Sequence, residues 1–180
     1  MKIRIVTDSG SDLSDEEASE LGISIVPLSI RFGEEELIDR VELGADEFYE
    51  RMNNSEDVPQ TAAPSPGAFK TAFEECFEQG AETVICINMS SELSATIQAA
   101  EAGARELGDK DVRIFDSKSV TGGLGTMVLE AAKASQDNHS VDEILALLND
   151  LRSKTHVYAA IDTLENLKKP ILVCNEEHRF

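Results

Sequence analysis

Residues 83–88, TVICIN, restrict the fold more than any other segment, because their central four residues are all apolar and most are β-branched. A short apolar run of this kind is typical of a strand that is buried on both faces of a parallel sheet. Parallel strands are joined by crossover helices that cover the faces of the sheet. The segment therefore predicts an α/β fold, with further strands and helices on either side of it.

The neighbouring segments supply those elements. KIRIVTD predicts a first strand that ends at Asp8, ISIVPLSIRFGEEELID a buried strand followed by an extended stretch with a turn at Gly33, VRIFDS a further strand, and VYAAID a last one. Between them lie helical patterns with recognisable ends: Ser14 and Gly22 around the first, Ser65 with Pro66 before another, and Ser140 before the last. The prolines before Ser65 predict an extended backbone there, and the helix after it carries an apolar stripe formed by Phe69, Ala72, Phe73, Cys76 and Phe77. In the helix that follows TVICIN, we expect Leu93 on the inner face. We expect a layered α/β domain over residues 1–160, with a mostly parallel central sheet flanked by helices.

The charge of the chain excludes several classes of partner. Asp and Glu number 35 against 16 Lys and Arg, and the formal net charge is −19. Such a field repels phosphate backbones and anionic membrane surfaces, so we expect no nucleic-acid binding. No apolar run approaches the ~18 residues that a membrane helix needs, and the first residues lack the apolar core of a secretory leader. These features predict a cytoplasmic protein without stable membrane insertion.

The spacing of the cysteines and histidines does not predict a metal or cofactor site. The three cysteines form no C-x-x-C pair, and the three histidines have no H-x-x-x-H context. The segment TGGLG, residues 121–125, matches neither a dinucleotide fingerprint nor a P-loop. We expect no metal and no cofactor.

Hydroxyl side chains follow three of the predicted strands, in TDSGSD, MSSELSAT and DSKS. In open α/β sheets ligands bind outside the carboxyl ends of the strands, where helix N-termini favour anions. Ser91 is a candidate N-cap, and Ser94 would then lie in the first turn of the same helix. The serines could complete an anion-binding pocket. Alternatively, Ser90 and Ser91 only cap the helix, which is the simpler interpretation of the residues alone.

An enzyme is a further alternative. Asp8 and Asp116 each end a predicted strand, as phosphoryl-transferring aspartates often do, and either could act with a metal in phosphoryl or acyl transfer. The signal is weak, since Gly10 stands where a D-x-D motif would have its second aspartate.

Six segments, in order and over nearly the whole chain, resemble the DegV family of bacterial fatty-acid-binding proteins. They are TDSGSDL (7–13), IVPLSIRF (25–32), TAAPSPGAF (61–69), SSELSAT (90–96), DSKSVTGG (116–123) and IDTLENLKK (161–169). The resemblance implies a carrier that binds one long-chain fatty acid between two domains and performs no chemistry itself. In some members the carrier presents the fatty acid to a separate kinase, which makes an acyl phosphate.

The same resemblance implies the site residues. The fatty-acid carboxylate would be held by Thr61 and Ser94, with Ser91, Ser90 and nearby backbone amides in support. Three residues depart from the family pattern, Ala62 and Ala63 after the threonine and Ala95 after the serine, and all three leave the two hydroxyls in place.

A larger departure follows Lys169, where the family continues with G-G-R-I and a second domain, whereas this chain reads PILVCNEEHRF. We therefore expect residues 161–180 to be the truncated start of the second domain. A non-binding fragment is then a further alternative. We also expect an exposed apolar patch that includes some of Val26, Leu28, Ile30 and Phe32, which would favour a homodimer.

Overall fold

The computed structural model of the chain describes residues 2–55, 58–158 and 160. The strands are β1 (Ile3–Asp8), β2 (Ser24–Val26), β3 (Ser29–Phe32), β4 (Glu35–Ile38), β5 (Gln60–Ala62), β6 (Thr83–Asn88) and β7 (Asp111–Asp116). The helices are α1 (Asp15–Leu21), α2 (Ala45–Asn54), α3 (Pro66–Glu78), α4 (Thr96–Arg105), α5 (Thr121–Gln136) and α6 (Val141–Lys154). A short 3₁₀ turn, Ser9–Ser11, follows β1. No helix among these residues is both long and apolar enough to cross a membrane.

The central sheet is parallel and has the strand order β2-β1-β6-β7. Strand β6 lies inside it, and all six of its residues are buried. Alternate side chains of a strand point to opposite faces. Ile85 and Ile87 pack into one apolar core, and Val84 and Cys86 pack into another. The prediction of a strand buried on both faces of a parallel sheet is confirmed.

Helices cover both faces of this sheet. On one face, α5 and α6 supply Leu124, Val128, Ile144 and Leu148, and α1 supplies Ala18. On the other face, the predicted apolar stripe of α3 and residues from α4 form the second core. The α/β fold with a mostly parallel sheet flanked by helices is therefore as the sequence predicted.

The local signals for the helix ends are also confirmed. Ser14 and Ser140 each form a capping box with the glutamate three residues later. Ser65 accepts a hydrogen bond from the amide of Ala68, with Pro66 at the first helical position. Gly22 ends α1 in the left-handed conformation.

A second, antiparallel sheet with the order β4-β3-β5 was not predicted. The segment ISIVPLSIRF does not form one strand: β2 ends at Val26 in the central sheet, and β3 begins at Ser29 in the second sheet. Residues 60–62, expected only to be extended, pair with β3 as the strand β5.

The predicted exposed apolar patch is wrong. Val26, Leu28 and Ile30 are buried within the chain itself, and Phe32 is half-buried with its ring against Phe48. Their burial follows from the pairing, since Val26 enters the core beneath α3 and β3 is the middle strand of the second sheet. This patch therefore supplies no basis for a homodimer.

Two further predictions concern the ends of elements. Leu93, expected on the inner face of a helix, precedes α4 and is 64% exposed. In the predicted strand VYAAID, residues 157, 158 and 160 are not in a strand, and the remainder of that segment lies outside the described residues. The predicted start of a second domain, residues 161–180, also lies outside them.

Candidate functional site

The loops after β1, β6 and β7 meet at the carboxyl edge of the central sheet. The strand order places β1 and β6 side by side, and the chain leaves β1 towards β2 but leaves β6 towards β7. The two loops therefore diverge between β1 and β6. Such a switch point is where open α/β sheets leave a crevice for a ligand.

Asp8 connects the two strands at this switch point. Its Oδ2 accepts hydrogen bonds from Asn88 Nδ2 (3.0 Å) and from the amide of Met89 (2.9 Å), and its Oδ1 accepts one from the amide of Gly10 (3.0 Å). Asp8 is buried, and desolvation raises its pKa although these hydrogen bonds partly oppose the shift. Its carboxyl oxygens are occupied by the protein, so its role in the structure is to join two loops.

The hydroxyl-rich segment after β6 forms a compact turn, Ser90–Ser94. The carbonyl of Ser90 accepts hydrogen bonds from the amides of Leu93 (3.0 Å) and Ser94 (3.2 Å), and its hydroxyl accepts one from the amide of Glu92 (3.2 Å). Ser90 is buried, and its own amide donates to the carbonyl of Ser119 in the loop after β7 (2.8 Å).

Asp116, the last residue of β7, anchors the same turn from the side. It accepts hydrogen bonds from Ser91 Oγ (2.6 Å) and from the Ser91 amide (3.3 Å). It also accepts one from the amide of Lys118 (3.0 Å), whose Nζ lies 3.2 Å from Oδ2. Desolvation alone would raise the pKa of Asp116, but the hydrogen bonds from Ser91 and Lys118 outweigh it and lower the pKa.

Ser94 lies at the entrance to helix α4. Its hydroxyl is 2.8 Å from the hydroxyl of Thr96 and accepts a hydrogen bond from the Thr96 amide (3.2 Å). The N-cap position belongs to Ala95, whose side chain makes no capping hydrogen bond. The first amides of α4 therefore face the carboxyl edge beside the Ser94 hydroxyl, with the partial positive charge of a helix N-terminus.

The predicted roles of Ser91 and Ser94 within the helix are therefore wrong in detail. Ser91 is not the N-cap, because its amide and hydroxyl are directed to Asp116 and the helix begins five residues later, at Thr96. Ser94 precedes the helix instead of lying in its first turn. Its hydroxyl is nevertheless at the helix N-terminus, as the anion-pocket interpretation requires.

Thr61 is presented by the other sheet. It is exposed in β5 and lies directly opposite Ile30 of β3, so the two side chains share one face of the antiparallel sheet. The second sheet is joined to the β1 loop by a hydrogen bond from the Leu28 amide to Ser9 Oγ (3.1 Å). Among the described residues, no hydrogen bond joins Thr61 to Ser94.

A cavity of about 540 Å³ lies between the second sheet and the starts of α1 and α2. Its lining combines apolar side chains, including those of Leu13 and Ile30, with the carboxylates of Asp12 and Asp39. Burial, with a contribution from the nearby charge of Asp39, raises the pKa of Asp12. This acidic lining disfavours an anion, in contrast to the entrance of α4.

Comparison with known proteins identifies the family. The model of the DegV family of uncharacterised proteins matches residues 2–170. The chain belongs to the DegV family. It is 34% identical over 168 residues to a DegV domain-containing protein of Halalkalibacterium halodurans, an alignment that covers 93% of this chain and 59% of that protein. A DegV domain-containing protein of Streptococcus pneumoniae is 35% identical, and the alignment covers 93% of this chain and 60% of that protein. The chain thus spans about three-fifths of the length of these relatives.

Solved DegV structures share the fold. A DegV family protein from Thermus thermophilus, described by its fatty-acid binding, is 33% identical with a TM-score of 0.79, over 85% of this chain and 54% of that one. DegV from Bacillus subtilis, a fatty-acid-binding protein, is 29% identical with a TM-score of 0.80, over 85% of this chain and 54% of that one. A stearic-acid-binding protein from Eubacterium ventriosum is 29% identical with a TM-score of 0.75, over 82% of this chain and 52% of that one.

For this DegV family member, sequence reasoning missed Asn88 and Lys118. Asn88 is the only polar residue in the second half of TVICIN, which could have marked it as a strand-end partner. Thr96 belongs to the hydroxyl-rich segment that the sequence singled out, but its burial was not predicted, because it depends on how α4 packs. Within the described residues, no group of three or more His, Cys, Asp or Glu side chains is arranged to hold a metal ion.

Proposed function

We propose that this protein binds a long-chain fatty acid, with the carboxylate held by the hydroxyls of Ser94 and Thr61, and that Ser90 and Ser91 support the turn that presents Ser94. The observation that carries the proposal is the position of Ser94. Its hydroxyl lies at the N-terminus of α4, beside the switch point between β1 and β6. The solved relatives whose descriptions name fatty acids share this fold.

The chemistry of the α4 entrance suits a carboxylate. A neutral hydroxyl and the partial positive charge of a helix N-terminus can hold an anion, through charge-assisted hydrogen bonding and the helix dipole, without an arginine. The net charge of −19 opposes anion binding elsewhere on the surface, so such a local site is needed. The acyl chain would supply most of the affinity, at about 0.8 kcal/mol for each buried CH₂ group.

Thr61 is the second hydroxyl of the proposal. Its exposure on β5 leaves its side chain accessible to a ligand, and β5 is held in register by β3, itself the middle strand of its sheet. The proposal is that the ligand carboxylate bridges the Thr61 hydroxyl on the second sheet and the Ser94 hydroxyl, which follows β6 of the central sheet.

The test is native mass spectrometry of the freshly purified chain, followed by solvent extraction and analysis of the extract. We expect a mass increment that matches one fatty acid and a fatty acid in the extract. Delipidated protein that fails to take up added stearic or oleic acid in a titration would contradict the proposal.

We further propose that the protein is a cytoplasmic carrier, and that acyl-phosphate formation requires a separate kinase. The enzyme alternative assigned the chemistry to Asp8 or Asp116, yet both carboxylates accept several hydrogen bonds from the protein. These bonds support positioning roles over nucleophilic ones. Incubation with ATP, magnesium and a fatty acid should give acyl phosphate only when a fatty-acid kinase is added. Magnesium-dependent phosphate-ester hydrolysis by the chain alone, lost in Asp8→Asn, would support the enzyme instead.

A further inference from the structure

The turn Ser90–Ser94 depends on contacts with its neighbours for its orientation. Its internal hydrogen bonds close the turn on itself, but its Leu93 side chain is exposed and adds no packing to the core. The bonds that orient the turn come from the end of β7, where Asp116 accepts from Ser91, and from the loop after it, where the Ser119 carbonyl accepts from the amide of Ser90.

Asp116 supplies the side-chain part of this anchor. Its carboxylate holds the Ser91 residue at two points, the amide and the hydroxyl, which fixes a direction as well as a distance. The backbone of Asp116 is itself held, because its carbonyl accepts a hydrogen bond from Arg152 of α6 (3.0 Å) and its strand is paired with β6. The anchor therefore belongs to the rigid part of the fold.

The orientation imposed at Ser91 is transmitted to Ser94 through the turn. The amides of Leu93 and Ser94 both donate to the carbonyl of Ser90, so a rotation at Ser91 would move the backbone of Ser94. The Ser94 hydroxyl is then aligned by its contact with Thr96, which is fully buried.

We propose that Asp116 is a positioning residue for ligand binding: it holds the Ser90–Ser94 turn so that the Ser94 hydroxyl and the α4 N-terminus face the same point, and it does not touch the ligand. The inference rests on the proposed function, since it takes Ser94 as the carboxylate ligand.

Lys118 completes the arrangement electrostatically. An unpaired carboxylate close to the Ser90–Ser94 turn would repel an anionic ligand. Lys118 Nζ lies 3.2 Å from Asp116 Oδ2, 3.3 Å from Glu92 Oε1 and 3.0 Å from Ser91 Oγ, so its ammonium group lies between the two acidic side chains. Asp116 can therefore anchor the turn with its negative charge compensated.

The decisive experiment measures the affinity of the full chain for a fatty acid and for the fatty alcohol of equal length, in the parent and in Asp116→Asn. Asparagine keeps the size of the side chain but cannot accept all four hydrogen bonds. Neighbours in one hydrogen-bond network couple strongly, so we expect about a tenfold loss for the acid and little change for the alcohol.

Asp111→Asn is the matched control. Asp111 is at the other end of the same strand and also binds a hydroxyl, that of Thr83 (3.0 Å), and a cation, Arg113 (2.6 Å). Asp111→Asn should leave the ratio of the affinity for the acid to the affinity for the alcohol unchanged. In the Ser94→Ala background, Asp116→Asn should cause no further loss, because the hydroxyl that it positions is gone. A full, additive loss in that background would overturn the inference.

Amide hydrogen exchange of the ligand-free chain separates this inference from the proposed function. Asp116→Asn should speed amide exchange at residues 91–96 and leave exchange in β6 unchanged. Asp111→Asn should leave exchange at residues 91–96 unchanged. If the parent binds no fatty acid, or if Ser94→Ala has no effect, the proposed function fails while exchange still tests the anchor. Unchanged exchange at residues 91–96 overturns the inference. If Asp116→Asn does not fold, Ser91→Ala takes its place in both measurements, because it keeps the amide contact with Asp116 and removes the hydroxyl contacts with Asp116 and Lys118.

Discussion

Asp8 and Asp116 end the two strands that flank β6, and both carboxylates accept hydrogen bonds from the segment that follows β6. Asp8 binds the amide of Met89 at 2.9 Å, and Asp116 binds the hydroxyl of Ser91 at 2.6 Å. Of the two residues that the sequence offered as catalytic candidates, Asp8 thus holds the end of β6 and the residue after it, and Asp116 holds the hydroxyl-rich turn that follows. Their environments differ, since burial raises the pKa of Asp8, while hydrogen bonds overcome partial burial and lower the pKa of Asp116.

The raised pKa of Asp8 predicts that this residue favours the folded state more at low pH. The folded protein holds the Asp8 proton more tightly than the unfolded chain, whose aspartates have a pKa near ~3.9. As the pH falls through the raised pKa towards ~3.9, the parent should therefore gain stability relative to Asp8→Asn. Urea denaturation of both proteins across this range measures the difference. A parent that loses stability relative to the variant would mean that the pKa is not raised.

The lowered pKa of Asp116 predicts the opposite dependence of stability on pH. Its folded pKa is lowered, so its carboxylate contributes stability above the unfolded pKa of ~3.9 and loses that contribution as the pH falls through the folded pKa. The stability advantage of the parent over Asp116→Asn should therefore be constant near neutral pH and shrink in acid. An advantage that grows on acidification in urea denaturation would contradict the assigned hydrogen bonds.

Gly103 should be intolerant of even one added carbon. A Cβ there would lie 2.6 Å from the carbonyl oxygen of Pro66 and 3.0 Å from the amide nitrogen of Lys70, both backbone atoms of α3. Overpacking of this kind costs about 1–3 kcal/mol, more than the ~1 kcal/mol that alanine gains in helix propensity. Gly103→Ala should therefore lower the urea midpoint. Gly122→Ala, where a Cβ meets nothing within 4 Å, is the control and should be neutral or stabilising.

Leu93 is exposed beside Ser94, so under the proposed function we expect it to contact the first methylenes of the acyl chain. Leu93→Gln should leave stability within about 0.5 kcal/mol, as surface substitutions do. Because the contact is apolar, affinity for a fatty acid and for its alcohol should fall together, by about fourfold for each CH₂ group that Leu93 would otherwise bury. Val41→Gln, which replaces another exposed apolar residue, between β4 and α2, is the control for titration calorimetry. A loss confined to the acid would assign Leu93 a different role.

The sequence predicted what is local or strongly periodic. The buried strand TVICIN, the caps at Ser14, Ser65 and Ser140, and the apolar stripe of α3 each depend on residues within a few positions of one another. The α/β layers follow from their alternation. For the candidate site, the positions of the hydroxyls after the strands were enough to predict that these side chains gather at the carboxyl edge of the sheet.

What was missed depends on partners that are distant in the chain. Ser91 has the composition of an N-cap, but Asp116, 25 residues later, takes both its amide and its hydroxyl. The strand β5 is three residues long and exists only because β3 pairs with it. The same pairing buries Ile30, one of the residues from which an exposed apolar patch was expected.

The proposed carboxylate site is tested most directly by Thr61→Ala combined with Ser94→Ala. Each hydrogen bond to a charged group that is removed costs about 1.5–3 kcal/mol, so together they should weaken fatty-acid binding by at least roughly a hundredfold. The alcohol of equal length lacks the charge and should bind the parent and the variant almost equally.

The control is Thr126→Ala with Ser153→Ala, which removes two hydroxyls that bind carbonyls of their own helices. Urea denaturation should verify that every variant is folded, since Ser94→Ala also removes a contact of the buried Thr96. Titration calorimetry of acid and alcohol against these proteins then decides the matter. The account predicts a large loss for the acid alone, and unchanged acid affinity, or an equal loss for acid and alcohol, would contradict it.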